Sequence, residues 1–291
     1  MKPAAFDYHR PDSLEEACAL LAEHGAEARV LAGGQSLVPL MNMRILSPAV
    51  LIDINRCREL SYLRREDGVI ACGALTRQGE AETSDLVAAH LLLMAAAMPH
   101  VGVRANRNFG TVCGSLAHAD PLAELPSVAA ALEARFVIAS SRGRREVDAG
   151  EFFVSALTNC IEPDEMLAEV RLPVAAANAR SAFLEIANRA HGFAVAGVAA
   201  LVEIDGEGRC TRARLSAMGA GDTTPRLAPV EALIEGRRLD EGLIREAGAA
   251  ATAAAEPAQD VHATADYRAH VIGTLVSRAL RQMAGQPGGA A

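Results

Sequence analysis

The chain has 291 residues, of which 51% are hydrophobic and 22% charged, and its net charge is −8. At roughly 150 residues per domain there is room for two domains, each able to bury a core without a disulfide or metal staple. The acidic balance argues against broad nucleic-acid binding, and a chain with no tryptophan and 3% aromatics is a poor stacking platform for single strands. No apolar run approaches the ~18 residues of a membrane span, and the N-terminus lacks the charged-then-apolar pattern of a signal peptide. A soluble, cytoplasmic protein is expected. Cys18, Cys57, Cys72, Cys113, Cys160 and Cys210 are scattered with no CxxC pair, which disfavours iron–sulfur, structural zinc and disulfide frameworks.

In chain order, Ser13 and Glu16 form a capping box ahead of Leu14, Ala17, Cys18 and Leu21 at helical spacing, and Gly25 ends that helix. Residues 28–32 read as a strand broken by Gly33-Gly34, and 50–54 as a second strand. Strand, helix and strand together suggest a small βαβ-like unit with a right-handed crossover. Residues 68–75 predict another strand, Thr76 caps a following helix, and 85–99 predict one alanine- and leucine-rich helix. The stretch 102–114 is polar, Arg/Asn-rich and punctuated by glycine, hence a loop. A helix over 121–134 begins with proline and acid, as helix starts prefer. Strands over 135–141, 144–148 and 166–172 follow. A domain boundary is placed at 173–178. Beyond it come strands over 181–188, 193–204 and 210–218, the last two joined as a hairpin through the turn at 205–208. Helices over 229–236, 240–255 and 264–283 close the chain. The alanine triplets at 249–251 and 253–255 suggest a helix packed tightly on a sheet. The tail, 285–291, is expected to fray.

The chemistry concentrates in two short segments. Ala32-Gly33-Gly34-Gln35-Ser36-Leu37 leaves a strand; Gly110-Thr111-Val112-Cys113-Gly114-Ser115 runs on into Leu116-Ala117-His118-Ala119-Asp120-Pro121. Each combines small residues, which let backbone approach a ligand, with hydroxyl side chains. Successive amides in such bends make an anion site without net positive charge, and two facing bends would suit a pyrophosphate. Taken singly, either bend reads first as an ordinary turn. There is no G-x-G-x-x-G, no G-x-x-x-x-G-K-[ST] and no G-x-S-x-G, so Rossmann, triphosphatase and hydrolase readings lack support.

The run 30–41, Val-Leu-Ala-Gly-Gly-Gln-Ser-Leu-Val-Pro-Leu-Met, resembles the first FAD loop of the flavoprotein subunits of molybdenum hydroxylases. That family includes the medium subunit of aerobic carbon monoxide dehydrogenase and the FAD domain of xanthine dehydrogenase. Residues 104–126 resemble the family's second loop, and Asp260 to Arg268 the segment before its last helix. The resemblance implies an α+β fold: an FAD-binding domain of the vanillyl-alcohol-oxidase (PCMH) type over 1–175, with two α/β subdomains of about 1–57 and 58–175. A smaller α+β C-terminal domain, antiparallel sheet plus helices, would follow over 178–285. By position, Val30, Leu31, Ala32, Gly33, Gly34, Gln35, Ser36 and Leu37, with Thr111, Val112, Cys113, Gly114 and Ser115, would hold the FAD diphosphate and ribityl region. Glu124 matches an acidic FAD contact and Leu167 a backbone or apolar one. Phe193 matches an aromatic beside the isoalloxazine ring, or is a core strand residue. The family's second loop commonly has two glycines where this chain has Cys113-Gly114, some relatives have a basic residue at Leu184, an acid often stands at Gly192, and several have histidine at Gln35, though glutamine is also common there; these departures bear on the flavin's surroundings. Cys113 is either redox-active beside the flavin or a packed filler.

Other features have local readings. His118 and Asp120 are a poor metal pair, and Asp120 is expected to cap the next helix. Arg104 and Arg107 are compatible with phosphate neutralisation, partner docking or a solvated face. Glu15, Glu16, Glu80 and Glu82 read as solvating charge, and Met41 and Met43 as core or cavity lining. The chain itself carries no motif for molybdenum or iron–sulfur binding. The resemblance therefore implies a division of labour: a large partner holding the molybdenum cofactor, a small partner with 2Fe-2S clusters, and this chain's FAD passing electrons to an external acceptor, in a dimer of heterotrimers. No general acid or base is nominated. A self-sufficient flavin oxidase or reductase of the same fold, and an FAD-free structural subunit, are the rivals.

Overall fold

A computed structural model describes residues 2–189 and 192–285. The first unit is a parallel three-stranded sheet. Its elements are β1 (Asp7–His9), α1 (Leu14–His24), β2 (Ala28–Leu31), α2 (Leu37–Asn42) and β3 (Val50–Asp53). The strand order is β1-β3-β2, with β3 parallel to both neighbours. The expected strand–helix–strand pattern is present, and β1, too short and polar to show a period, adds the other edge. Ser13 caps α1 by accepting from the Glu16 amide at 3.2 Å, but Glu16 reaches back to the Asp12 amide and not to that of Ser13.

A five-stranded antiparallel sheet follows. It is built from β4 (Leu63–Glu66), β5 (Val69–Gly73) and, beyond a run of short helices, later strands. Those helices are α3 (Gln78–Thr83), α4 (Asp85–His90), α5 (Leu92–Ala97), α6 (Arg104–Phe109), α7 (Val112–His118) and α8 (Glu124–Ala131). Next come β6 (Arg135–Ser140), β7 (Gly143–Asp148), α9 (Ala149–Phe152), the small hairpin β8 (Phe153–Ser155) and β9 (Thr158–Asn159), and β10 (Met166–Pro173). The order β4-β5-β10-β6-β7 places β10 in the middle.

Several sequence expectations change here. The helix over 85–99 breaks at Leu91, whose φ of −123° and ψ of 59° leave the helical region, so it becomes α4 and α5. The stretch 102–114 is not a loop: α6 and the start of α7 occupy it, because buried Arg107 replaces the apolar residue that periodicity would look for. Thr76 does not cap α3; its hydroxyl donates to the Tyr62 carbonyl. Asp120 accepts from the amide of Leu122, two residues on at 2.9 Å, whereas α8 starts later and has no side-chain cap.

The last unit has β11 (Ala179–Ala187), β12 (Ala194–Ile204) and β13 (Cys210–Met218) as an antiparallel sheet, then α10 (Ala228–Ile234), α11 (Glu241–Ala254) and α12 (Ala265–Gly285). Both faces of this sheet are covered: α5 and α8 press on one side, α12 and α10 on the other. That is why β12 is buried almost end to end and reads as a continuous apolar run and not as an alternation. The alanine-rich α11 packs on α12 and not, as expected, on the sheet. Small residues let the two helices touch: a Cβ on Gly248 would lie 2.8 Å from the Gly273 carbonyl. Of the tail expected to fray, residues 286–291 lie outside the described residues.

Candidate functional site

The three parallel strands end together, and the chain leaves each carboxyl end into one crevice. Arg10 follows β1, Ala32-Gly33-Gly34-Gln35 follow β2, and Asp53 and Asn55 stand at the end of β3. With Val38, Asn42, Arg77 and Phe109 they line a cavity of about 580 Å³. Carboxyl ends of parallel strands are where open α/β sheets bind ligands, and the volume is of ligand size.

The first bend is shaped by close approach. Gly34 has φ +71°, a conformation that side chains rarely adopt. A Cβ on Gly33 would meet the Phe109 carbonyl at 2.4 Å and the Gly110 Cα at 2.7 Å. The two segments singled out in the sequence therefore touch, although they lie far apart along the chain. Among the described residues, the amides of Gly33, Gly34, Gln35 and Ser36 have no acceptor within the protein. Unpaired amides lining a crevice are the donor set that phosphate oxygens require.

The second segment is built differently from the expectation. Thr111 is the N-cap of α7, and its hydroxyl accepts from the Gly114 amide at 3.0 Å. The amides of Val112 and Ser115 are also taken, by the carbonyls of Thr76 and Thr111. This segment is thus a capped helix start whose amides largely serve the fold. Cys113 is 2% exposed and its Sγ lies 3.5 Å from the Cys72 carbonyl. Burial pushes its thiol well above the ordinary range, so it is a packed filler and not a redox group.

The remaining nominated residues are spread out. Glu124 opens α8 and is partly buried; desolvation, with Glu185 and Asp120 nearby, pushes its carboxyl up to about 7. Leu167 is buried on β10 beside a bulge, its side chain in the main core. Phe193 is 81% exposed just before β12, which rules out the core-strand alternative. Val30 and Leu31 end β2, and Ser36 and Leu37 begin α2. Arg107 is neither a phosphate ligand nor a docking residue. It is buried and forked onto Glu82 at 2.8 and 2.9 Å, so Glu82 is not merely solvating charge. Met41 is core, and Met43 is exposed. No His/Cys/Asp/Glu cluster able to hold a metal occurs among the described residues, His118 and Asp120 included.

Sequence reasoning missed the floor of the crevice. Asp53 accepts from the Tyr8 hydroxyl, from the Asn55 amide at 2.9 Å and from the Asn55 side chain at 2.6 Å, and pairs with Arg10 at 3.6 Å. Burial opposes its ionisation, but these donors together hold the carboxyl below the ordinary range. Asn55 also donates to the Ala32 carbonyl at 2.9 Å. Arg77 donates to the Phe109 carbonyl and, at 2.5 Å, to the Asn55 side chain. The polar cluster Asp53-Ile54-Asn55 after a strand was the available signal.

Fold and crevice together define a two-domain flavoprotein of the PCMH type. The chain belongs to the FAD-binding subunits of molybdenum hydroxylases. Residues 4–175 match the family described as FAD binding domain in molybdopterin dehydrogenase, and 181–283 the CO dehydrogenase flavoprotein C-terminal domain. Among its relatives is the 6-hydroxypseudooxynicotine dehydrogenase complex subunit alpha of Paenarthrobacter nicotinovorans, 41% identical and covering 96% of this chain and 95% of that one. The caffeine dehydrogenase subunit beta of a Pseudomonas species is 37% identical over 98% and 96% of the two chains. A chain in the solved structure of carbon monoxide dehydrogenase from Hydrogenophaga pseudoflava superposes with a TM-score of 0.94 at 36% identity, over 97% of this chain and 98% of that one. The protein is thus an FAD-domain subunit of an oxidoreductase. No helix among the described residues is long and apolar enough to cross a membrane.

Proposed function

We propose that this chain is the electron-carrying FAD subunit of a cytoplasmic molybdenum hydroxylase. A small partner with 2Fe-2S clusters would deliver electrons from a large partner holding the molybdenum cofactor, and this chain would pass them to an external acceptor. A dimer of such heterotrimers is the assembly the reading carries. Its units are a PCMH-type domain over 1–175, divided at about 57, and a C-terminal domain over 178–285. The observation that carries the proposal is end-to-end likeness to chains that are themselves named as subunits.

Bound FAD supplies the redox chemistry, taking up and releasing electrons singly or in pairs. The protein binds and orients it. The amides of residues 33–36 would receive the diphosphate, with Val30, Leu31, Ala32 and Leu37 shaping the bend around it. Thr111, Val112, Cys113, Gly114 and Ser115 would stand behind the Phe109–Gly110 turn that meets Gly33, where backbone packing matters more than amide donation. Glu124, Leu167 and Phe193 would lie along the rest of the cofactor, with Phe193 free to cover the ring from its exposed position.

Purification of the native complex tests this reading. The expected preparation contains two further subunits, iron, molybdenum and a flavin spectrum that bleaches when the complex's substrate is added. A yellow solitary protein that oxidises its own substrate would overturn it in favour of a self-sufficient oxidase. A colourless subunit within an intact complex would leave the chain a structural one.

A further inference from the structure

We infer that Arg77 is the cation that faces the cofactor's diphosphate, held at that post by the Phe109 carbonyl and the Asn55 side chain. The inference rests on the FAD reading above and adds a residue to it. Arg77 precedes α3, and its backbone pairs with Thr111 in an isolated antiparallel bridge. Its side chain turns into the crevice and lines the cavity beside Gly33 and Gly34. Both acceptors it has found there, a carbonyl and an amide oxygen, are neutral. Among the described residues, no carboxylate lies within ion-pair distance of it.

Arg10 lines the same cavity but is in a different state: it pairs with Asp53 at 3.6 Å. A half-buried guanidinium whose nearest carboxylates, Asp53 and Glu80, act only from beyond ion-pair distance is incompletely neutralised, so its natural complement is an anion brought by the ligand. Guanidinium has five N–H donors, of which the two bracing bonds occupy two, leaving others for phosphate oxygens. Burial disfavours its charged form, and the carboxylates of Asp53 and Glu80 offset that only in part. The bracing is specific. Asn55 holds the Ala32 carbonyl at 2.9 Å, so the line Phe109–Arg77–Asn55–Ala32 ties one bend to the other and fixes where the charge sits.

Binding of FAD, ADP, riboflavin and adenosine to the flavin-stripped full chain tests this, for wild type, Arg77→Met, Arg77→Lys and Arg10→Met. For Arg77→Met the expected result is a loss of about 10–100-fold for FAD and ADP, the worth of one charge-assisted bond to phosphate, with riboflavin and adenosine unchanged. Arg77→Lys retains the charge without the fork and should fall between; it serves in place of Arg77→Met if that variant does not fold. Arg10→Met removes a charge already paired with Asp53 and should lose at least about threefold less than Arg77→Met. Equal losses for Arg10→Met and the Arg77 variant would overturn the inference, since the cavity's total charge would then be what matters. So would a parallel loss of riboflavin and adenosine, or no loss at all. A wild-type chain that binds neither FAD nor ADP would instead sink the FAD reading itself.

Discussion

Glu124 is the residue whose ionisation the fold perturbs most usefully. Desolvation at the start of α8 outweighs its own backbone hydrogen bond, and Glu185 and Asp120 add repulsion, so the carboxyl is raised from 4.5 to about 7. A raised acid favours the folded state in its protonated form. Its contribution is complete below the ordinary value of 4.5 and is lost as pH rises through about 7. Glu124→Gln holds the neutral form at every pH. Thermal unfolding should therefore show the two proteins alike near pH 4 and the variant ahead by roughly 3 kcal/mol, several degrees in Tm, near pH 8. A gap that does not change with pH would refute the assignment. Cys113 shows the opposite lesson: a residue that looked chemically suggestive is enclosed by Cys72 and the β5–β10 core, and packing alone accounts for it.

At the scale of elements, the crossing of α11 and α12 is the tightest joint in the C-terminal unit. A Cβ on Gly273 would lie 2.0 Å from Thr252 Oγ1 and 2.5 Å from the Gly248 carbonyl. The hydroxyl can rotate away, but the carbonyl belongs to a helix backbone and cannot. Gly273→Ala recovers roughly 0.5–1 kcal/mol of helix propensity and loses more by prising the helices apart, at about 1–3 kcal/mol for an overpacked core. Urea unfolding should show a lower midpoint at an unchanged slope. A higher midpoint would mean that the helices slide apart without cost.

Across the whole molecule, β12 belongs to two cores at once. Ala196, Val198, Ala200 and Val202 face α12, while Ala199 and Leu201 join the core of the first domain. The domain junction is therefore built like an interior, not a hinge. At its rim Glu133, at the end of α8, pairs with Arg212 and Arg226 at 2.6 Å and with Arg214 at 2.9 Å. Burial opposes ionisation of Glu133, yet the three guanidiniums hold its carboxyl below the ordinary range. These groups are partly solvated, so Glu133→Gln should cost about 1 kcal/mol, visible as a Tm lower by a few degrees in low salt. Raising the ionic strength to about 1 M should shrink that difference; if it persists undiminished, the effect is steric and not electrostatic.

The sequence alone determined what is local or repeated: the capped helix at Ser13, the apolar strands, the hairpin through 205–208 and the glycine bend after β2. Chemical period and turn residues act over a few positions and leave a trace in the residues themselves. Tertiary structure decided what depends on distant partners. Arg107 became a buried anchor because Glu82 and the carbonyls of Val101 and Gly102 meet it. The second segment became a capped helix because Thr76 and Gly110 pair it with the start of α3. The floor of the crevice exists only where three strand ends converge on Asp53, Asn55 and Arg77, since a polar residue's role there is set by charges that folding brings near, and no spacing along the chain records them.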